Sequence, residues 1–251
     1  MLAFLLVAAQ LQSAVPAPCG AEARLFALAN GERERAGVAP LQWHEPLAEI
    51  ARAHAADMRE RGEISHSSAD GSVLADRVTR REIRVERAAE NTGRAAGVEQ
   101  VHAELMQSPG HRANILDARL QVAGFGVVEG GDGTWIVQDF GKLAPAWTEA
   151  EARAAVLDAV RACGWATRED PALSRALEPS ARAMAAADSA SVKDLANPGC
   201  WMLGLAGPDP SELPADRGPG CHATRAGIAL QWARSPTRPL GAWFVVIVVA
   251  P

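Results

Sequence analysis

The sequence lacks the features that would indicate a nucleic-acid partner or a charged membrane surface as its target. It has 25 Lys and Arg residues against 30 Asp and Glu, a net charge of −5, and no cluster of basic residues. Attraction to phosphate-rich partners is therefore not expected. Tyrosine is absent and aromatic residues make up 5% of the chain. Together with the abundance of alanine and arginine, this scarcity indicates genome composition more than function.

Motifs of several common enzyme classes are also missing. The 251 residues contain no G-x-S-x-G, no H-E-x-x-H and no C-x-x-C. A nucleophile elbow, a helical zinc-protease site and thioredoxin-like chemistry are therefore not predicted. Apolar residues make up 48% of the chain, which is enough for one large core or two modest ones.

The N-terminus differs in kind from the rest of the chain. Residues 2–11 form an apolar run too short to span a bilayer, and residues 13–17 are small. This pattern predicts a signal peptide over residues 1–17, a secreted or periplasmic protein, and no membrane span in the mature chain. No basic residues precede the run, so an apolar first helix of the domain is the alternative.

Export would make the four cysteines candidates for disulfide bonds, because an even number is present. Three disulfide connectivities are possible among Cys19, Cys163, Cys200 and Cys221. The short, proline-containing segment between Cys200 and Cys221 favours that pair and leaves Cys19 to meet Cys163.

The most informative stretch lies between Ser108 and Gly141. Pro109 follows a potential Ser108 cap, which predicts a short helix that carries His111 in its first turn and ends near Leu116. Two strand-like runs follow at 122–128 and 134–140, separated by a glycine-rich turn, and they predict a hairpin.

Six motifs in this region and upstream of it occur in a fixed order. They are ARAHAADM at 51–58, SHS at 65–67, AEN at 89–91, GHRANIL at 110–116, GFGVV at 124–128 and WIVQDFG at 135–141. This series resembles the secreted CAP domains (cysteine-rich secretory proteins, antigen 5, pathogenesis-related 1), most closely their bacterial SCP-like branch. The resemblance covers residues 21–142 and implies an α-β-α sandwich with a mostly antiparallel sheet, within a domain at residues 18–143.

The resemblance also implies a site. CAP domains gather two histidines and two glutamates in a central groove, and His66, Glu90 and His111 match three of those positions. Ser108 stands where many relatives carry the second glutamate, and Glu104 is a possible substitute. With one carboxylate fewer, His66 and His111 would bind a divalent cation such as zinc only weakly. Glu90 is expected in a polar loop, and His54, on the buried stripe of its helix, is expected to be a structural histidine.

The predicted function is extracytoplasmic binding of a lipid, a peptide or a cell-envelope component through the groove of His66, Glu90, Ser108 and His111. The alternative is a metal-assisted hydrolase in which Glu90, His66 and His111 act in the same groove.

Residues 144–251 repeat part of the pattern. Thr148 and Glu151 form a capping-box signature, and an Ala-Gly-Ile-Ala-Leu run at 226–230 echoes the strand at 122–128. This predicts a smaller, degenerate CAP-like α/β domain without the site loops. The apolar run at 243–250 is expected to be covered on both faces, with the first domain as a cover. An unrelated small α+β domain is the alternative.

Overall fold

The computed structural model describes residues 18, 20–145, 147–192, 201–213, 222–235 and 237–251. The predicted signal peptide at 1–17 lies outside the described residues, as do Cys19, Cys200 and Cys221. Cys163 is half-buried and has no disulfide partner among the described residues, and each predicted pair includes a cysteine outside them. No helix within the described ranges is long and apolar enough to cross a membrane.

The elements follow one another in two groups. The first group consists of α1 (Gly20–Arg35), β1 (Gln42–Trp43), α2 (Glu45–Arg61), α3 (Leu74–Arg80), β2 (Val85–Ala95), α4 (Val98–Gln107), α5 (Pro109–Leu116), β3 (Val122–Gly130) and β4 (Gly133–Leu143). The second group consists of α6 (Glu149–Ala162), β5 (Arg168–Glu169), α7 (Pro171–Ala186), β6 (Trp201–Gly207), β7 (Arg225–Ala233) and β8 (Ala242–Ala250).

The first group forms an α-β-α sandwich. Its sheet has the strand order β1-β3-β4-β2, in which only the two-residue β1 runs parallel to its neighbour. Side chains of strand β4 point alternately to the two faces of the sheet. Ile136 and Phe140 pack with α1, α4 and α5 on one face. Trp135 and Val137 pack with α2 on the other. The predicted mostly antiparallel sandwich is confirmed.

The ends of α2 follow the local chemistry of the chain. His44 is the N-cap residue, and its ring accepts a hydrogen bond from the Leu47 amide at 3.4 Å. Gly62 ends the helix with a positive φ of 68°, a conformation that glycine adopts without steric cost. The chain therefore leaves α2 directly into the loop that carries His66.

Helix α5 begins at Pro109 and ends at Leu116, as predicted. The predicted side-chain cap is wrong, because the Ser108 hydroxyl makes no capping hydrogen bond. Ser108 instead joins two helices directly, and its backbone N–H donates to the carbonyl oxygens of Glu104 and Leu105 at the end of α4.

The second group has the same sheet order as the first, β5-β7-β8-β6, again with a two-residue parallel strand at one edge. The Thr148–Glu151 capping box opens α6 as predicted. Helix α7 contains Pro179 and continues through it to Ala186. Strand β6, an apolar strand at the other edge, was not predicted from the sequence.

Strand β8 is buried over its whole length, but the first domain is not its cover. Val245 and Ile247 pack in a cluster with Val156 of α6, and Val246 and Val248 pack in a cluster with Leu177 of α7. Two helices of the second group therefore cover the two faces of their own sheet.

Contacts between the two groups involve a small set of side chains. Leu240, just before β8, packs against the cluster that contains Leu47 and Val78. The Arg84 guanidinium lies 5.1 Å from the ring centroid of Trp232. Neither contact involves the face of the sandwich on which α1, α4 and α5 lie.

Candidate functional site

Glu90 lies in the middle of strand β2, opposite Asp139 of β4, and the prediction of a polar loop is wrong. Strand β2 is an edge strand of the sheet and reads VERAAENTGRA, with few of the β-branched and aromatic residues that favour strands. Pairing with β4 along almost its whole length, rather than local propensity, makes it a strand. Glu90 is thus held by a rigid element.

His66 contacts Glu90 directly. It lies in the loop that follows α2, and its Nδ1 is 2.8 Å from Glu90 Oε1. Because the carboxylate accepts this hydrogen bond, Nδ1 carries the proton, and in the neutral ring Nε2 is left as an acceptor. The His66 side chain is 60% exposed, whereas that of Glu90 is 5% exposed. The buried carboxylate therefore orients an imidazole whose ring is open to solvent.

Arg77, which was not identified from the sequence, holds the other oxygen of Glu90. Its side chain comes from α3, is 7% exposed, and donates from Nη2 to Glu90 Oε2. Its Nη1 donates to the Ser72 carbonyl oxygen at 3.0 Å and to Ser68 Oγ at 3.1 Å. A buried glutamate requires a cation nearby, and that requirement is the only hint of Arg77 in the sequence.

His54 of α2 forms hydrogen bonds with the loop that carries His66. It is 1% exposed; its Nε2 lies 2.8 Å from the Ser65 carbonyl oxygen, and Ser68 Oγ lies 3.1 Å from its Nδ1. Burial lowers the pKa of His54, so the neutral ring is favoured. His54 is a structural histidine, as its position on the buried stripe of α2 predicts.

His111 is attached to the same strand through two asparagines. Asn91 Nδ2 donates to the His111 carbonyl oxygen at 3.1 Å, and Asn114 Nδ2 donates to Asn91 Oδ1 at 2.9 Å. Asn91 is fully buried, so α5 is docked on β2 beside Glu90. Burial lowers the pKa of His111, and the charge of His66 lowers it further.

Asp139 is a second carboxyl group at this point that was not identified from the sequence. It is fully buried, and neither of its carboxyl oxygens has a hydrogen-bond partner among the described residues. Burial raises its pKa well above the usual range, and the negative charge of Glu90 raises it further. Burial and the nearby Glu90 charge therefore favour the protonated form of Asp139. A carboxyl group within the apolar strand sequence WIVQDF was the available signal.

Two other predicted groups, Glu104 and Ser108, make no hydrogen bond to His66 or Glu90 among the described residues. Glu104 is exposed and accepts a hydrogen bond from Gln100 Nε2 at 2.9 Å, so it does not replace the missing glutamate. Ser108 lies at the start of α5, three residues before His111, and makes no side-chain hydrogen bond that caps the helix.

The donor set does not fit a metal ion. Within the described ranges, no group of three or more His, Cys, Asp or Glu side chains is placed to hold one. His66, Glu90 and His111 do not form such a group, and both oxygens of Glu90 already accept hydrogen bonds, from His66 and from Arg77. The arrangement instead suits recognition of a hydrogen-bond donor by an oriented imidazole.

Comparison with known proteins agrees with the fold. Residues 26–140 match the model of the cysteine-rich secretory protein family, CAP. The chain is 34% identical over 122 residues to the uncharacterized protein YkwD of Bacillus subtilis. The aligned region covers 48% of this chain and 47% of that protein. It is 33% identical over 108 residues to the uncharacterized membrane protein YlbC of the same species, which covers 42% of this chain and 31% of that protein. The chain thus spans less than half the length of these relatives.

Among solved structures, an extracellular protein containing an SCP domain from Bacillus anthracis is 29% identical, with a TM-score of 0.43, and the match covers 47% of this chain and 39% of that one. The family match includes Glu90, Asn91, His66 and His111. Residues 26–140 are therefore a CAP domain of the cysteine-rich secretory protein family.

Proposed function

We propose that this protein works outside the cytoplasm and that its CAP domain binds a polar component of the cell envelope, a glycan or peptide, at His66. The observation that carries this proposal is the His66–Glu90 pair, in which a buried carboxylate fixes an exposed imidazole with Nε2 as an acceptor. The apolar N-terminal run and the secretory family support the extracytoplasmic location.

The polarity of the site favours a glycan or peptide over a lipid among the predicted ligands. An imidazole acceptor recognises a hydroxyl or an amide N–H, and glycans and peptides offer many of both. Behind the imidazole lies the charged pair of Glu90 and Arg77, both with buried side chains. A saturated lipid tail would leave the free nitrogen of His66 without a hydrogen-bond partner, at a cost in free energy.

The His66–Glu90 pair is also relevant to the alternative that the protein is a hydrolase. An imidazole oriented by a carboxylate is the arrangement of a general base, which could activate water. The metal-assisted form of this alternative has no support in the donor set, because Arg77 already neutralises Glu90. Binding without turnover is therefore the function that the geometry supports best.

Sedimentation with isolated cell-wall material tests the proposal. Wild-type protein is expected to sediment with the wall, whereas His66→Ala should lose most of this binding. His222→Ala is the matched control, since His222 is an exposed histidine of the second group of elements, and it should bind like wild type. Equal binding by His66→Ala would contradict the proposal, and soluble wall fragments released only by proteins with His66 would favour the hydrolase.

We also propose that residues 144–251 are a degenerate second copy of the domain. The support is the shared strand order and the shared two-residue parallel edge strand of the two sheets. In the first group, α3 supplies Arg77 and α5 supplies His111; the described residues of the second group contain no helix between α7 and β7. On this basis the second copy has kept the scaffold and lost the site.

A further inference from the structure

Arg77 is the least expected component of the site. It is an arginine from a seven-residue helix, it is almost completely buried, and its guanidinium contacts both a carboxylate and the backbone of the loop that carries His66. An ion pair of this depth costs desolvation energy that a well-packed apolar pair would avoid. Stability alone therefore does not account for it.

The position of the guanidinium relative to Glu90 suggests a role. The two Glu90 oxygens accept from His66 Nδ1 and from Arg77 Nη2. A divalent cation bound at His66 and Glu90 would need one of these oxygens, and it would bring a second positive charge next to the guanidinium. Arg77 thus competes with a metal ion both for the ligand atom and for the charge.

We infer that Arg77 is the built-in cation of this groove: it takes the place of a divalent ion at Glu90 and makes the groove a metal-independent hydrogen-bonding site. Arg77 is a specificity-determining residue in this account, because it decides between a metal ligand and an orienting carboxylate as the role of Glu90. The inference deepens the proposed function and rests on it for the class of ligand, but its test needs no wall component.

Removing the Arg77 guanidinium should turn Glu90 from an orienting carboxylate into a metal ligand. In Arg77→Met, Glu90 becomes a buried carboxylate without a cation, which is strongly unfavourable. A zinc ion that reaches Glu90 and His66 would restore the charge balance. Arg77→Met should therefore be destabilised without zinc and recover with it, since metal that binds only the folded state stabilises that state.

The experiment compares zinc titrations of untagged protein, followed by thermal melting and by equilibrium dialysis. Zinc should bind wild type and Glu90→Gln with the same affinity and shift their melting temperatures equally. Arg77→Met should bind zinc about tenfold more tightly than wild type, or better, with a matching rise in melting temperature, and Arg77→Met/Glu90→Gln should lose this gain. Arg80→Met is the matched control, because Arg80 lies on the same helix and its exposed side chain pairs with the exposed Asp70; it should behave as wild type.

Two results would overturn the inference. One is zinc binding by wild type that disappears in Glu90→Gln or His66→Ala, because the groove would then hold a metal despite Arg77. The other is a folded Arg77→Met that responds to zinc as wild type does. If Arg77→Met does not fold even with zinc, the test rests on the zinc titrations of wild type, Glu90→Gln and His66→Ala. Equal zinc affinities of these three proteins support the inference, and unequal affinities overturn it. Failure here leaves the wall-sedimentation result standing, so the two proposals are tested separately.

Discussion

At the scale of single residues, the site consists of one exposed histidine supported by buried polar groups. Glu90 orients His66, Arg77 neutralises Glu90, and Asn91 ties the helix that carries His111 to the same strand. The His66 ring is open to solvent and His111 is half-buried, whereas the Glu90 side chain is buried behind His66. Ligand contact and site positioning are therefore divided between different residues.

Asp139 makes the free energy of unfolding depend on pH. Its pKa is raised in the folded state by burial and by Glu90, so the folded state holds a proton that the unfolded state releases at lower pH. The free energy of unfolding must then decrease as the pH rises from about 4, the usual value for aspartate, towards the raised pKa.

Asp139→Asn removes this titration and keeps a group of similar size. Its free energy of unfolding, measured by urea denaturation between pH 4 and pH 8, should exceed that of wild type by a margin that grows with pH. Asp158→Asn, an exposed control, should follow the wild-type profile. An Asp139→Asn profile parallel to wild type would show that Asp139 is ionised in the folded protein at these pH values.

At the scale of elements, the site depends on how closely α2 approaches the sheet. A Cβ atom on Gly126 of β3 would lie 2.3 Å from the Arg52 backbone nitrogen of α2, and one on Gly124 would lie 2.0 Å from that of Ala48. The GFG sequence of the hairpin therefore allows backbone-to-backbone packing of a helix on a strand. This packing fixes α2, and with it the position at which the His66 loop begins.

Gly126→Ala should lower the free energy of unfolding by about 3 kcal/mol or more, because the clash is with backbone that cannot move away easily. Gly131→Ala is the matched control in the adjacent turn, where an added Cβ meets nothing within 4 Å, and it should change stability little. Equal melting temperatures for the two variants would mean that α2 packs less tightly on β3 than the structure shows.

Sequence patterns predicted the elements with strong local signals. Helix α2 has an N-terminal proline and a C-terminal glycine, α6 has its capping box, and the β3–β4 hairpin has a glycine turn. Strand β2 was missed because long-range pairing, rather than its own composition, determines it. For the same reason, the partners of Glu90 were not found: Arg77 and Asp139 lie 13 residues before it and 49 residues after it, and only the fold brings them together.

At the scale of the whole molecule, the two groups of elements have separate cores. Helices α6 and α7 cover their own sheet, and the contacts with the CAP domain are those of Leu240, Arg84 and their neighbours. Losing one partly buried leucine and a half-buried cation–π contact should cost about 1–3 kcal/mol.

Residues 18–143 alone are therefore expected to fold, with a melting temperature only a few degrees below that of the full chain, and to bind cell wall as the full chain does. Thermal melting and wall sedimentation of the two proteins make the comparison. Aggregation of the shorter protein would show that the second group covers more of the CAP domain than these contacts indicate. Normal folding with lost wall binding would make the second group part of the binding surface.

Nitrogen-15 NMR of the histidine rings at pH 8, with the His66 signals assigned from His66→Ala, reports whether Glu90 fixes His66 with Nε2 as the free acceptor. We expect His66 to carry its proton on Nδ1 and Nε2 to be unprotonated. We also expect this preference for the Nδ1 proton to weaken in Glu90→Ala. A wild-type His66 ring protonated on Nε2, or one whose tautomer is the same with and without the Glu90 carboxylate, would contradict the account.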